Sequence, residues 1–565
     1  MAEVRIFLSV AAVGACVLSG LADVPGLHRA KVVCYGWDLL ASSPEELVEN
    51  AEAFSRCGSD GVSVVLAGRA GTVGYDMRET LTQTGWTEEM LASRLPALKR
   101  LHALPGLQES LIMAWFAPSR RLSWTDDAAW ATAAKNIGVL AWAAAQAKLK
   151  GLMIDNEDYR NVRQWYYDAA KDGPSYVETC AHVRRRGAEV GKAAFGAHPT
   201  ARLLFMWLLS EHRPYFTCAD PVTEKRKIGD LWPAFVDGML DVIPPEAKLV
   251  DGNEHAYFAD ADRADFFKHA WNIRQGALAL VAPENRARYQ SQVSVSSGIY
   301  LDMYINTDRT SCWYFGPGSD GRRVTKLIGN LAQAVRVADE YVWVYGEKRT
   351  IIDWRTDDRR SGAGADKRWS AVRSSRGATW NDALPGFTSA VLAVTDPEGL
   401  AARAFAADDA ANRAGELLPK GNWGFWQHPK ESHGEWSSDA ADVPFAGCAP
   451  ALVASNVVRG CFIKNVSVTS GRLFAVSGWM KGRGAISVTW ERNGELTNSD
   501  RTYSLPFDAD AKEDEWRRAV FAVCVPPGMD ALVVHPAAAH RPNAGEVTKF
   551  ADIRVVEINR KETRK

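Results

Sequence analysis

The chain has 565 residues, which is more than one hydrophobic core usually supports, so we expect at least two domains. Its 67 Lys and Arg residues nearly balance its 68 Asp and Glu residues, and the formal net charge is −1. A chain without a basic surplus lacks the electrostatic field that attracts a phosphate backbone, so we expect no nucleic-acid partner.

The N-terminal segment has the features of an export signal. Ile6 to Leu18 is apolar and uncharged, and it is too short to span a bilayer. Two cleavage sites remain open: an ordinary site near Ala22, and a site at Cys16, whose preceding Val-Gly-Ala resembles a bacterial lipobox. We therefore expect residues 1–22 to be a signal peptide and the protein to be secreted or periplasmic, or anchored as an outer-membrane lipoprotein. No later segment is apolar enough to cross a membrane.

Several cofactor and metal signatures are absent from the sequence. The nine cysteines include no C-x-x-C pair, and neither an H-x-H nor a G-x-S-x-G motif occurs. We accordingly expect no metal and no cofactor. Cys448 and Cys461 are close enough in sequence to form a disulfide in an oxidising compartment, and two free thiols are the alternative.

The first 350 residues alternate between short apolar runs and segments of helical character. Nearly continuous apolar runs are typical of a buried parallel sheet. The eight runs are Lys31–Asp38, Gly61–Gly68, Leu111–Ser119, Gly151–Tyr159, Ala201–Ser210, Lys248–Tyr257, Gly298–Asn306 and Glu340–Lys348.

The segments between these runs begin with helix-start signals. Ser43 is followed by Pro44 and then by Glu46, the arrangement of a capping box, and Thr125 precedes two aspartates and an Ala-rich stretch. Eight such units predict a (β/α)8 TIM barrel over residues 30–395. An open, doubly wound sheet is the main alternative, but no Gly-rich loop follows the first run.

Two carboxylates end the fourth run. Side chains alternate along a strand, so Asp155 and Glu157 are predicted to share the inner face at the end where barrel enzymes carry their reacting groups. Mutual repulsion and loss of solvation raise the pKa of such acids, as a general acid requires. We expect Glu157 to be the general acid; a structural ion pair at Asp155 is the alternative.

Further acids and aromatic residues occur at the ends of the other runs. The sixth run supplies Asp251 and Glu254, the seventh Asp302 and the eighth Glu347; each is a candidate partner of Glu157, as is Asp155, and each could equally form a structural ion pair. Aromatic faces stack on sugar rings. The residues expected to form a sugar platform are Trp37, Trp115, Trp207, Tyr304 and Trp343.

Residues 30–395 resemble secreted bacterial TIM-barrel glycoside hydrolases. The resemblance rests on the D-x-E of Asp155 and Glu157, on YVWVYGEK at residues 341–348, and on WNDALPG at residues 380–386. It implies an acid/base catalyst at the fourth strand. The seventh run has no Glu, where such enzymes commonly carry a nucleophile, so the resemblance leaves the partner of Glu157 open.

The C-terminal part has a different pattern. An Ala-rich linker over 396–420 is followed by short alternating strands, which predict an all-β, jelly-roll-like sandwich over 421–560. Its segments GNWGFW, FAVSGWMKG and FADIRVVEI resemble carbohydrate-binding modules, and a purely structural companion domain is the alternative.

Together these patterns favour an enzyme that hydrolyses glycosidic bonds in a poly- or oligosaccharide. The alternative is a non-catalytic glycan-binding surface protein that uses the barrel as a scaffold.

Overall fold

We analysed a computed structural model of the chain. It describes residues 29–558 apart from 71–72, 82–83, 174, 217, 319, 355–377, 432, 498–502 and 508–511. The expected signal peptide, with Cys16 and Ala22, lies outside the described residues. Two compact units are present: residues 29–315 with 329–391, and residues 316–328 with the chain from 392 onward.

The first unit is built on a nine-stranded, curled parallel sheet. Each of the eight expected runs contains one of its strands, so the parallel α/β architecture is confirmed. The strands are β1 (Lys31–Gly36), β2 (Gly61–Val64), β5 (Leu111–Trp115), β6 (Gly151–Asp155), β7 (Arg202–Phe205), β8 (Lys248–Asp251), β9 (Val293–Val295), β10 (Gly298–Tyr300) and β11 (Tyr341–Gly346). A separate hairpin consists of β3 (Ala67–Ala70) and β4 (Val73–Asp76).

The strand order of this sheet is β10-β11-β1-β2-β5-β6-β7-β8-β9. The two end strands, β9 and β10, are consecutive in the chain and are separated only by Ser296 and Ser297. The backbone of these two serines makes hydrogen bonds to strands on both sides. Ser296 N donates to Asp251 O of β8 at 2.9 Å, and Ser297 O accepts from Trp343 N of β11 at 3.1 Å. One short segment therefore pairs with both β8 and β11.

Helices follow most of these strands. The Ser43 capping box is confirmed: the Ser43 hydroxyl accepts from Glu46 N, and the Glu46 carboxylate accepts from Ser43 N. No helix in the described part of the chain is long and apolar enough to cross a membrane. The α-helices are α1 (Trp37–Leu40), α2 (Pro44–Glu49), α3 (Ala51–Arg56), α4 (Glu88–Ala92), α5 (Leu95–Ala103), α6 (Asp127–Gln146), α7 (Ala169–Asp172), α8 (Tyr176–Ala197), α9 (Arg213–Phe216), α10 (Pro221–Ile228), α11 (Trp232–Val242), α12 (Asp265–Arg274), α13 (Arg286–Gln292), α14 (Arg323–Val337), α15 (Trp380–Ala383), α16 (Phe387–Thr395) and α17 (Pro397–Ala410).

Much of the high tryptophan content is used for packing. Trp124 stacks on Trp130 with ring centroids 4.9 Å apart, and Trp165 meets Trp232 edge to face at 4.6 Å. All four belong to the main core, between the sheet and its helices. Tryptophan count alone is therefore no measure of sugar binding in this chain.

The second unit contains two antiparallel sheets. One has the order β12-β15-β21-β17-β18, with β19 beside β17, and the other has the order β13-β14-β22-β16-β20. Side chains from both sheets form one hydrophobic core, so the unit is a β-sandwich. The strands are β12 (Gly424–Gln427), β13 (Glu435–Asp439), β14 (Ala451–Ser455), β15 (Gly460–Ser467), β16 (Leu473–Lys481), β17 (Gly484–Arg492), β18 (Glu495–Thr497), β19 (Tyr503–Ser504), β20 (Arg517–Cys524), β21 (Ala531–Ala538) and β22 (Val547–Glu557).

The cysteines of the described residues are all free thiols, Cys448 and Cys461 included. Of the two states left open by the sequence, the structure thus has the unbridged one. Cys461 is buried, and its Sγ lies 3.7 Å from His535 Nδ1. On the other side of the same ring, His535 Nε2 is 2.6 Å from Thr489 Oγ1.

Burial of His535 predicts acid sensitivity of the sandwich. Burial lowers the pKa of His535 from 6.5 to about 4. The unfolded chain therefore binds this proton more readily, so the stabilising effect is complete above pH 6.5 and is lost as the pH falls towards 4; a shift of this size corresponds to roughly 3 kcal/mol. Urea unfolding at pH 7.5 and pH 4 should show a smaller loss of stability in His535→Gln than in the wild type. Equal losses in the two proteins would contradict this assignment.

Candidate active site

A cavity of about 620 Å³ opens at the carboxyl ends of the parallel strands. Aromatic rings and carboxyl groups dominate its wall, as in sites that bind small polar rings. Its aromatic and acidic lining includes Tyr35, Trp37, Trp115, Asp155, Glu157, Tyr159, Glu254, Tyr257, Tyr300, Trp313, Tyr345 and Glu347.

Asp155 and Glu157 lie side by side, although β6 ends at Asp155 and Glu157 belongs to the loop that follows. Asp155 is 1% exposed, and its Oδ1 accepts a hydrogen bond from Glu157 N at 3.0 Å. The Tyr159 hydroxyl donates to Asp155 Oδ2 at 3.0 Å and also contacts Glu157 Oε2. Burial, and secondarily the charge of Glu157, raises the pKa of Asp155 to about 7. The buried Asp155 thus accepts from the backbone of Glu157 and positions it.

Glu254 is the second acid in this cavity whose pKa is strongly raised. It begins a 3-10 helix over Glu254–Phe258, just beyond the end of β8, and it faces the same cavity as Glu157. Burial, followed by the charges of Glu157 and Asp155, raises the pKa of Glu254 to about 9. Glu254 is therefore protonated at neutral pH beside a carboxylate, which is the combination expected of an acid/base pair.

Glu347 is fixed by a chain of hydrogen bonds at the opposite wall. Trp37 Nε1 donates to the Tyr345 hydroxyl at 2.8 Å, and that hydroxyl donates to Glu347 Oε1 at 2.9 Å. Trp37 is 42% exposed, so its ring face remains available to a ligand. This wall thus carries one oriented carboxylate and one open aromatic face.

Four tyrosines form the floor of the cavity. Tyr345 stacks on Tyr35 and on Tyr300, with ring centroids 4.9 and 5.3 Å away, and Tyr257 lies 5.1 Å from Tyr300. Burial and the nearby carboxylates, Asp155 first, raise the pKa of Tyr35 well above its usual value. The tyrosines are therefore neutral hydrogen-bonding groups that keep the floor rigid.

Asp251 is not among the residues that line this cavity. It is fully buried at the end of β8, and its carboxylate accepts hydrogen bonds from the backbone N of Leu208, Leu209, Ser210 and Asn253, and from Ser210 Oγ, at 2.6–3.1 Å. With five donors on its two oxygens, Asp251 organises the loop after β7. The geometry removes it from the candidate catalytic acids.

Asp302 and Tyr304 are also turned away from the cavity. The expected alternation stops at Tyr300 because Leu301–Tyr304 forms a 3-10 helix, in which side chains no longer point to two opposite faces. Asp302 accepts from Glu347 N at 2.7 Å and from Lys348 N at 3.2 Å, and Tyr304 accepts from Asn330 Nδ2 at 2.8 Å. Asp302 thus positions the backbone that carries Glu347.

The remaining aromatic candidates lie at different depths. Trp343 is fully buried inside the sheet, and its Nε1 donates to Gly252 O at 2.8 Å. Trp37 and Trp115 line the cavity, whereas Trp207 lines a second cavity beside it. Trp343 therefore does not line the cavity, because residues of one strand face occupy successive layers and Trp343 lies in a deeper one.

The second cavity has a volume of about 530 Å³. It shares four lining residues with the first: Glu157, Glu254, Tyr257 and Trp313. The two acids therefore stand at the boundary between two adjoining cavities.

Several lining residues were not expected from the sequence. Tyr35 points inward next to the predicted Trp37, Tyr159 follows the predicted acids, and Tyr257 and Trp313 come from a 3-10 helix and a loop without a strand period. Tyr159 could have been identified from its position directly after the acids of the fourth run. No sequence signal distinguishes Trp313. No group of His, Cys, Asp and Glu side chains suited to hold a metal ion occurs within the described residues.

Comparisons with known proteins give no family assignment. No protein-family model matches the chain, and no curated protein matches it. Among solved structures, it is similar to the enzymatically active domain of tailspike protein 4 of bacteriophage CBA120 (16% identity, TM-score 0.21, 26% of this chain and 21% of that chain). It is also similar to the CBM22-1 xylan-binding domain of Xyn10C from Paenibacillus barcinonensis (10%, 0.19, 25% and 91%) and to the arabinose-bound MgGH51 α-L-arabinofuranosidase (13%, 0.20, 26% and 27%).

The neighbours thus include glycoside hydrolases and carbohydrate-binding modules, each matched over about a quarter of this chain. Only about a fifth of the tailspike domain is covered. TM-scores of this size assign no common fold, so function is inferred from the site alone.

Proposed function

We propose that the chain is a glycoside hydrolase that cleaves a glycosidic bond by carboxylate acid/base catalysis. The observation that carries the proposal is the pair Glu157 and Glu254, which face one aromatic-lined cavity while the pKa of Glu254 is raised to about 9. We also propose that the parallel sheet closes into a (β/α)8 barrel through the segment 293–300. Catalytic groups of such barrels lie at the carboxyl ends of the strands, where this cavity opens.

In this mechanism Glu254 donates its proton to the glycosidic oxygen as the bond from that oxygen to the anomeric carbon breaks. The carboxylate of Glu157 then either bonds to the anomeric carbon, to be displaced later by a water molecule whose proton passes to the Glu254 carboxylate, or itself removes a proton from a water molecule that attacks that carbon. The sequence assigned the acid role to Glu157. The raised pKa of Glu254 favours the reverse order, because burial and the charges of Glu157 and Asp155 keep Glu254 protonated.

Asp155 and Tyr159 position Glu157 in this proposal. The Tyr159 hydroxyl contacts one carboxylate oxygen of Glu157, and the Asp155 carboxylate accepts a hydrogen bond from the backbone N of Glu157. Trp37, Trp115 and Trp313 supply ring faces for the apolar side of a sugar.

The C-terminal sandwich is proposed to bind glycan as well. Phe425 is 56% exposed and stacks on Trp436 with ring centroids 5.2 Å apart. The Lys464 ammonium lies 5.1 Å from the centre of the Trp423 ring. The exposed Phe425 ring lies on β12, at the edge of its sheet, and favours ligand binding over a purely structural role. We also propose that the chain is exported.

Hydrolysis of neutral polysaccharides tests the proposed function. Incubation with β-glucan, xylan, mannan, galactan and arabinan should release new reducing ends from at least one of them. The anomer that NMR detects first in the product distinguishes direct attack by Glu157, which retains the configuration, from attack by water, which inverts it. If none of the five yields reducing ends, the proposal in this form fails.

The pH profile of that reaction should depend on Asp155. Activity requires protonated Glu254, so kcat/KM should fall as the pH rises through about 9. Asp155→Asn removes a negative charge that raises the pKa of Glu254, so the alkaline midpoint should move to lower pH. Glu52→Gln, which changes an exposed surface helix, is the matched control. A midpoint that is the same in Asp155→Asn and in the control would show that Glu254 is not the acid.

A further inference from the structure

The second cavity lies on the far side of the acids from the first. It is bounded by Glu157 and Glu254 on one side and reaches past Trp207 to Trp165 and Tyr166. Its volume, about 530 Å³, is within the range of small-molecule sites. A ligand that continues beyond the acids would therefore enter a formed cavity and not open solvent.

Two buried polar atoms at this cavity have no hydrogen-bond partner among the described residues. Asn156 is 1% exposed, and its Nδ2 donates to Trp207 O at 3.0 Å while its Oδ1 stays unpaired. His212 is 7% exposed, with Nε2 2.5 Å from Asp230 Oδ2 and Nδ1 unpaired. Leaving a buried polar atom unpaired is unfavourable. Both residues line the second cavity, where a sugar hydroxyl can both donate and accept.

Aromatic rings flank these two polar atoms. Trp207 lies against Trp232, with ring centroids 5.7 Å apart, and 43% of the Trp313 side chain is exposed where the two cavities meet. Rings next to unpaired polar atoms fit a sugar, whose apolar face stacks while its hydroxyls make hydrogen bonds.

The charges at the second cavity determine which sugars fit. Its lining includes the acids Asp158, Glu211 and Asp230, and no Lys or Arg stands among the described residues that line it. A carboxylated or sulfated sugar would meet repulsion there. The cavity is thus suited to uncharged sugar units.

We propose that the second cavity binds the sugar units on the other side of the scissile bond, so that the substrate is a neutral glycan chain cut at internal positions. The binding itself follows from the cavity; the cutting rests on the proposed function.

Binding by a variant that does not turn over substrate tests this inference. Glu157→Gln would be titrated calorimetrically with β-1,4-linked gluco-, xylo-, manno- and galacto-oligosaccharides of two to six units. For one of these series, the affinity should rise with length until both cavities are filled. Trp207→Ala in the same background should weaken binding of the longest member about 10-fold or more, which corresponds to about 1.4 kcal/mol.

Two further variants complete the design. Trp271→Ala removes a tryptophan that is 68% exposed and lines neither cavity, so it should leave the affinities unchanged. His212→Gln keeps an amide that can donate to Asp230 but loses the ring nitrogen, so it should weaken binding of the longest oligosaccharide. This variant provides the test if Trp207→Ala fails to fold. Thermal unfolding monitored by circular dichroism verifies the fold of each variant.

The inference is overturned if no oligosaccharide of the four series binds, if six units bind no tighter than two, or if the folded cavity variants bind like the Trp271 control. Release of single terminal sugars alone by the wild type would also overturn it while the proposed function stands. Length-dependent binding without any hydrolysis by the wild type would have the opposite meaning: the cavity inference would stand and the proposed function would fail.

Discussion

Replacing Glu157 by glutamine is expected to lower kcat/KM on a polysaccharide by about 10²–10⁴-fold or more while the protein stays folded. Glutamine keeps the size of the side chain but can neither attack carbon nor accept a proton. In the wild type, the carboxylate of Glu157 lies beside Asp155 and raises the pKa of Glu254. Removing its charge in Glu157→Gln therefore relieves repulsion. Steady-state kinetics together with urea unfolding test both parts of this expectation.

Glu254→Gln should cause a loss of similar size on the polysaccharide, but the two variants should differ on an activated substrate. A dinitrophenyl glycoside has a leaving group that departs without a proton, so it should restore much of the activity of Glu254→Gln and little of that of Glu157→Gln. If Glu347→Gln impairs activity more than Glu254→Gln does, Glu347 is the partner of Glu157. Native activity in Glu157→Gln would end the assignment and favour the non-catalytic glycan-binding alternative.

Asp251→Ala is expected to lower the free energy of unfolding by about 3 kcal/mol or more. Five donors would lose their common acceptor in a fully buried place, and each unsatisfied buried group costs about 1–3 kcal/mol. The loop after β7, which carries Trp207, would lose its anchor in the same step. Urea unfolding followed by fluorescence measures the change.

Asp251→Asn should lose less stability, because its amide oxygen still accepts hydrogen bonds from part of this set. Asp262→Ala, at an exposed position of the same unit, provides the surface control. Unchanged stability of Asp251→Ala with lost activity would instead restore the catalytic role that the sequence allowed for Asp251.

The sequence alone was sufficient to identify eight of the nine parallel strands, whereas β9 (Val293–Val295) lies outside the eight runs. Most of these strands are apolar runs, such as Val32 to Tyr35, because both of their faces are covered. Asp155 and Glu157 are close together because Glu157 follows the end of β6 by two residues and its backbone N donates to the Asp155 carboxylate. In the sandwich, β12 and β13 are short and largely exposed, so the apolar signal is weaker there than in the buried strands.

Only the tertiary structure decided which acids share the cavity. Asp251 and Glu254 come from the same run, yet one accepts five hydrogen bonds from its neighbours and the other faces the cavity with a raised pKa. Asp302 left the predicted face because the chain turns into a 3-10 helix after Tyr300. The proton affinity of Glu254 and the boundary between the two cavities depend on groups brought together from distant parts of the chain. Local residue patterns determine where strands form. The burial and the electrostatic environment of a site depend on all the residues around it, and these come together only when the chain has folded.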